Sequence, residues 1–242
     1  MTWKYYCIPL MMLLLMELQC YAQSAPPTSA RFREVYARIK PQLDKELAAK
    51  KLELGAPVYM RIFKSEKLLE VWLKKGSRYE LFKTYSVCTY GSEGLGNKNR
   101  EGDGRAPEGF YYITPSQMNP SSSFHLSFNL GFPNSYDRFH GKTGSGLLVH
   151  GKCVSIGCYA MTDKGIEEIY TLADRALRGG QSFFRVHIFP FRMTDANMRK
   201  HKDSIHYEFW QNLKVGYDFF VDSGYMPPNV LVRRGKYVFE SR

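Results

Sequence analysis

Between Pro57 and Pro115 the apolar residues recur at every second position, are mostly β-branched or aromatic, and are interrupted by short turn signals. This is the period of a pleated strand, whose side chains alternate between two faces, and it excludes a helical bundle for this stretch. Residues 58–63 read as a strand, 64–67 as a turn, and 68–74 and 79–90 as strands around a turn at Gly76. Glycines at 91, 94, 96, 102, 104 and 109 predict a long flexible loop before a strand at 110–113. Strand signals return at 124–128, 146–149 and 183–189. One clear helix interrupts them at 164–177, where Ile166, Ile169, Tyr170, Ala173 and Leu177 form an apolar stripe and Thr162 and Asp163 can cap the start. Residues 30–54 read as a helical extension lying on the domain, with Pro41 breaking or kinking it. A helical, aromatic tail from 195 to 220 ends in a hairpin at 229–239, turning at Arg234-Gly235. The expectation is a mostly β fold with added helices.

The first residues set the compartment. Lys4 precedes an apolar run of nine residues, Ile8 to Met16, and Cys20-Tyr21-Ala22 places small residues at −3 and −1 of a cut after Ala22. This reads as a secretory signal peptide, with a buried N-terminal helix as the alternative. The run is well short of the roughly 18 residues a membrane span needs. The expected division is therefore a leader at 1–22, a linker and helical extension at 23–55, a catalytic domain at 56–195 and a C-terminal extension at 196–242. Thirty-four Lys and Arg against 23 Asp and Glu give a charge of +11, unchanged by loss of the leader because Lys4 and Glu17 leave together. A basic exported chain points to an anionic envelope polymer and away from nucleic acid. Cys88, Cys153 and Cys158 remain after the cut, an odd number, so at least one is a free thiol or forms an intermolecular bond.

Chemistry concentrates in Val149-His150-Gly151-Lys152-Cys153-Val154-Ser155-Ile156-Gly157-Cys158-Tyr159-Ala160-Met161. A thiol and an imidazole eight residues apart across a strand–loop–strand bend can meet, and a neighbouring base is what turns a mostly protonated cysteine into a nucleophile. Gly157 lets backbone approach a substrate, and the N–H groups of Gly157 and Cys158 could hold an oxyanion. A buried cysteine beside a satisfied core histidine is the competing reading. The glycines of 91–109 match no phosphate-binding pattern, and the cysteine spacing lacks the paired knuckles of a zinc site, so no metal or organic cofactor is implied.

His-Gly followed by Ser-x-Gly-Cys, with Gly102-Asp103-Gly104-Arg105-Ala106-Pro107-Glu108-Gly109 upstream, resembles the signature of the L,D-transpeptidase (YkuD-type) catalytic domain over residues 57–195. Cys-Val-Ser-x-Gly-Cys-Tyr-Ala-Met, with Gly131-Phe132-Pro133-Asn134 and Phe191-Arg192-Met193-Thr194-Asp195, is similar to its YafK/DpaA branch. The resemblance implies a β-sandwich catalytic domain with helical N- and C-terminal extensions. It implies a nucleophile at Cys158, a base at His150, an orienting backbone carbonyl at Gly151, a loop-shaping hydroxyl at Ser155 and an oxyanion N–H at Gly157. Tyr136, Arg138 and Tyr159 are expected to touch substrate, with a solvated loop as the alternative for the 136–138 stretch. His140, also followed by glycine, is the rival base. It sits in a polar stretch, whereas His150 ends the apolar run Leu147-Leu148-Val149.

Two departures matter. Ile156 stands where most members have His, and Tyr159-Ala160 stands where most have Ile/Val-Arg. The implied activity is that of a periplasmic enzyme acting on peptidoglycan stem peptides through a cysteine acyl-enzyme at the L-centre of diaminopimelate. In this branch the implied reaction is hydrolysis of the link to a Braun-type lipoprotein. Transfer to an amine, giving cross-links or lipoprotein attachment, and a non-catalytic wall-binding module are the alternatives. If Cys158 is reserved for chemistry, Cys88 and Cys153 are the remaining pair, either bonded or both reduced.

Overall fold

The computed structural model describes residues 25–91 and 94–240; the leader expected at 1–22 lies outside them. The long strand β3 (Arg78–Thr89) organises the fold because both halves of a nine-stranded sheet share it. On one side lie β2 (Leu68–Lys75), β1 (Val58–Phe63), β9 (Phe184–Phe189) and β4 (Gly109–Ile113). On the other lie β8 (Tyr159–Met161), β7 (Leu148–His150), β6 (Ser127–Asn129) and the edge strand β5 (Met118–Asn119). Most pairs are antiparallel; β1 with β9 and β7 with β8 are parallel.

Period two divides β1 between two cores. Val58, Met60 and Ile62 enter the main cluster, which also receives Phe128, Val149, Tyr159 and Met161 from the other half of the sheet. The helix α3 (Asp163–Arg178) packs into this core through Ile166, Ile169, Tyr170, Ala173 and Leu177, all buried, and Thr162 Oγ1 caps it by accepting from the Gly165 N–H. Phe63 enters a second cluster with Phe110, Phe189, Trp210 and Tyr237, beneath α5 (Tyr207–Asp222) and the hairpin of β10 (Asn229–Arg233) and β11 (Lys236–Glu240). The short α4 (Asp195–Lys200) adds Met198 to it. The fold is thus mostly β with helices flanking the sheet.

Four expectations are corrected. Pro41 does not end α1 (Ala30–Ala49). Proline forfeits one intrahelical bond, but Phe32, Val35, Leu43 and Leu47 on either side of it are buried, and Phe32 meets Tyr170 of α3 edge-on at 4.9 Å. The strand read at 124–128 is β6, starting three residues later, because His125 takes a left-handed φ of 72° and turns the chain. The polar stretch Asp137-Arg138-Phe139, for which a solvated loop is the alternative, belongs to a one-and-a-half-turn helix α2 (Ser135–Phe139), capped reciprocally by Asn134 and Asp137.

The glycine loop is pinned rather than loose. The Asp103 carboxylate accepts from the N–H groups of Asn99, Arg100 and Arg105 and from Lys98 Nζ. Its pKa is drawn down to about 2 by these donors against the opposing effect of burial. Behind the loop, fully buried Lys64 and Glu108 form an ion pair at 2.9 Å.

Candidate active site

The parallel pairing of β7 with β8 sets His150 opposite Ala160. Cys158 lies two residues before Ala160, immediately ahead of β8, and packs in part against the main core. One strand spacing across and two residues along separate their Cα atoms by roughly 8 Å. The opposite face, carrying Val149, Tyr159 and Met161, points into the main core, which fixes the direction of His150.

His150 is 1% exposed and rests against the Phe124 ring at 4.5 Å. Its Nδ1 lies 2.6 Å from the Gly151 carbonyl oxygen. A carbonyl only accepts, so Nδ1 carries the proton and Nε2 is left as the basic nitrogen. Gly151 is needed because a Cβ there would stand 2.5 Å from Asp163 Oδ1 and 3.0 Å from the Phe124 carbonyl oxygen. Its own N–H donates to Phe124 O. Asp163, expected only as a helix cap, also accepts from the Lys152 N–H at 2.8 Å and so ties the turn after the base to the start of α3. In that turn Lys152 and Cys153 adopt left-handed φ of 67° and 49°. Cys153 is disulfide-bonded to Cys88 of β3, with Cα atoms 5.2 Å apart. The bond closes the open question about these two thiols, and Cys158 is the free cysteine among the described residues.

Cys158 is half-buried. Its thiol points toward the Gly146 carbonyl, 3.7 Å away, and its sulfur accepts from the Leu148 N–H at 3.3 Å. Neither partner has a side-chain signal that a sequence could show; both are main-chain groups, one in β7 and one two residues before it. Ser155 shapes the loop, as the motif suggests. Its hydroxyl accepts from the N–H groups of Gly157, at 3.0 Å, and Cys158, at 2.6 Å, and donates to the Cys158 carbonyl. The Gly157 and Cys158 N–H groups expected to hold an oxyanion are both engaged by this hydroxyl in the structure. The Arg105 carbonyl stands 3.4 Å from where a Gly157 Cβ would be, so the pinned loop backs the nucleophile.

The electrostatics favour a neutral pair. Burial lowers the pKa of His150, with the Gly151 bond opposing it, and burial raises the Cys158 thiol against the Leu148 N–H, the Ser155 hydroxyl and the Lys98 charge. A thiolate–imidazolium pair would show both shifts reversed. Both directions favour the uncharged thiol and imidazole, which suits proton removal during nucleophilic attack.

The other expected residues fall elsewhere. His140 Nε2 contacts the Gly235 carbonyl at 2.8 Å and its ring stacks near Tyr136, so it braces the C-terminal hairpin. Tyr136 is 8% exposed and lies parallel to Tyr237 at 4.5 Å, which places it in the second core and not in a groove. Tyr159 is fully buried, its hydroxyl donating to Pro107 O at 2.7 Å, so it too presents no surface to a substrate. Arg138 is exposed, but its guanidinium bonds back to the Pro133 carbonyl and the Ser135 hydroxyl. Asp137 is buried, accepting from Asn97, Tyr111 and Asn134, and burial raises its pKa.

The family model described as "L,D-transpeptidase catalytic domain", YkuD, matches residues 57–188. The putative L,D-transpeptidase YafK of Escherichia coli strain K12 is 50% identical over 185 residues, covering 76% of this chain and 74% of that protein, and its counterpart in strain O157:H7 gives the same figures. Among solved structures, a mutant of the helical cell shape determining protein Pgp2 from Campylobacter jejuni aligns at 20% identity and a TM-score of 0.44, over 76% of this chain and 64% of that one. On the sequence matches, this chain belongs to the YkuD family of L,D-transpeptidase catalytic domains.

Proposed function

We propose that the protein is a periplasmic peptidoglycan-remodelling cysteine enzyme that hydrolyses the link between a stem peptide and a Braun-type lipoprotein. The observation that carries the chemistry is the free, half-buried Cys158 two residues before the strand partner of His150, whose Nδ1 is anchored to Gly151 O. Cys158 Sγ attacks the carbonyl at the L-centre of diaminopimelate while its proton passes to His150 Nε2. The tetrahedral oxyanion is met by the Gly157 and Cys158 N–H groups once Ser155 Oγ swings aside. Collapse breaks the C–N bond, His150 returns the proton to the leaving lysine amine, and a thioester remains on Cys158. Water then attacks the thioester with His150 again as base, and the free carboxylic acid leaves. Tyr159-Ala160 in place of the family's Ile/Val-Arg supports a substrate other than the ordinary tetrapeptide donor. The leader at 1–22 supports export, and no described helix is long and apolar enough to cross a membrane. The charge of +11 suits a polymer rich in carboxylates.

The test is incubation of the protein with lipoprotein-bearing sacculi, with the released muropeptides read by mass spectrometry. Release of lipoprotein together with free diaminopimelate-ended stems is expected. New 3-3 cross-linked dimers in place of released lipoprotein would assign transfer to an amine instead.

A further inference from the structure

A groove of about 360 Å³ begins at Leu148, whose N–H donates to the Cys158 sulfur, and crosses β6 to the edge strand β5. The register explains why it continues the site. Leu148 faces Asn129, His150 faces Ser127, and Ser127 faces Asn119. Paired residues project to one face, so Asn119, Ser127 and Asn129 share the face of His150. The alternate residues Met118 and Phe128 point into the main core.

Two features mark this groove as built for a ligand. Ser127 is fully buried at its floor, yet its hydroxyl has no hydrogen-bond partner among the described residues. A buried hydroxyl without a partner is costly, and such groups in folded proteins usually meet a water or a ligand. Asn119 and Asn129 supply the second feature. Each has its Oδ1 tied by a backbone N–H, that of Ser121 at 3.0 Å and that of Gly131 at 2.8 Å. That fixes which end of each amide is oxygen and leaves both NH₂ groups as oriented donors. Among the described residues, no charged side chain lines the groove. The ligand therefore offers neutral acceptors. As diagonal neighbours on paired strands, the two asparagines stand roughly 7–8 Å apart. In an extended peptide, carbonyls pointing the same way recur every second residue, about 6.8 Å.

We infer that this groove holds the extended main chain of the acyl-donor stem peptide, its carbonyl oxygens accepting from the Asn129 and Asn119 amides and the Ser127 hydroxyl meeting a third polar group. The assignment rests on the cysteine-enzyme reading above and names how that site selects its substrate. Asn129→Asp and Asn119→Asp keep the tied oxygen but exchange the donor for a second, negatively charged acceptor. Ser127→Ala removes only the orphan hydroxyl.

The experiment measures Cys158 acylation by intact mass, comparing a full-length stem-peptide donor with one cut back to the residue bearing the attacked carbonyl and its leaving group. Wild type acylates faster with the longer donor. Ser127→Ala loses about threefold to tenfold in kcat/KM for the longer donor, as expected for one neutral hydrogen bond, each Asp variant loses at least as much, and the advantage of length shrinks. A purely structural Ser127 gives the opposite sign, since deleting an orphan hydroxyl leaves the melting temperature equal or higher and the length preference intact. If wild type shows the length preference and all three variants keep it, the groove assignment is overturned. If the variants weaken only glycan-bearing muropeptides and not free stem peptides, the peptide assignment is overturned in favour of the sugar chain. If wild type is not acylated by any stem peptide, it is the enzymatic reading that fails, and that outcome is distinct from the other two.

Discussion

At the scale of single residues, the site depends on proton position more than on the identity of its two reactive groups. His150 is buried, its Nδ1 is spent on the Gly151 carbonyl, and its pKa is lowered, so it stays an unprotonated base below the ordinary histidine value near 6.5. Cys158 is shifted the other way and stays a thiol above its ordinary value near 8.5. The acid limb of kcat/KM for acylation should therefore fall below about 6.5, because activity is lost as protonation of His150 removes the base. Alkylation of Cys158 by iodoacetamide without substrate should rise only above about 8.5. A rate that is flat down to pH 5 in the alkylation profile would instead reveal a standing thiolate–imidazolium pair. His150→Gln should lower acylation by about 10²–10⁴-fold, the usual contribution of a positioned acid–base group. His140→Ala, which loses a contact to Gly235 rather than to the thiol, should cost far less. A larger loss in the His140 variant reverses the assignment.

At the scale of elements, the strand–turn–strand from β7 to β8 decides whether the two residues meet. Its turn is held at Cys153 by the disulfide to β3 and at Lys152 by Asp163 of α3. Cross-linking positions 65 apart removes chain entropy worth roughly 4 kcal/mol from the unfolded state. The double variant Cys88→Ala/Cys153→Ala should thus unfold on the order of 10 °C lower in a thermal melt. A change under about 2 °C would show that the bond adds little to the packing around it. Gly151→Ala forces a Cβ against Asp163 Oδ1 and the Phe124 carbonyl. It should destabilise by about 1–3 kcal/mol in urea unfolding and slow acylation by at least tenfold, because the carbonyl that orients His150 moves with it. Much of this element could be read in advance. The His-Gly and Ser-x-Gly-Cys pattern marks the ends, the apolar run 147–149 gives the strand, and the Thr162 cap starts α3. Period two also located β1 to β4 and β9. What could not be read lies in main-chain donors and in distant partners. Leu148 N–H, Gly146 O and the engagement of the Gly157 N–H by Ser155 depend on loop geometry that side-chain identity does not encode. Tyr136 and Tyr159 looked like groove residues because an aromatic beside a motif carries no mark of which sheet face it takes; register sends Tyr159 into the main core, and the hairpin some hundred residues later covers Tyr136.

At the scale of the whole molecule, one buried carboxylate joins the sheet, the glycine loop and the C-terminal helix. Glu108 Oε1 accepts from Lys64 Nζ, just after β1, and from the Gly96 N–H, while Oε2 accepts from Trp210 Nε1 of α5. Lys64 Nζ also donates to the Gly96 and Ala106 carbonyls, so both ends of the loop close on the same pair. Both side chains are fully buried, and burial lowers the Lys64 pKa, which the Glu108 charge opposes. Removing one member of such a pair leaves the other charge uncompensated, a loss of about 3–5 kcal/mol, whereas replacing both by apolar groups of similar size costs much less. Glu108→Ala should therefore destabilise strongly in urea unfolding, and Lys64→Met/Glu108→Leu should be clearly more stable than Glu108→Ala alone. The recovery stays incomplete because the Gly96 N–H and the Trp210 indole still lack their acceptor. The loop this pair secures runs on to Arg105, whose carbonyl backs Gly157, so Glu108→Ala should also slow Cys158 acylation at temperatures where the variant remains folded. A Glu108→Ala protein that unfolds within 1 kcal/mol of wild type and acylates at the same rate would show that the loop is held by its own Asp103 turn, and that the buried pair is not what couples α5 to the nucleophile.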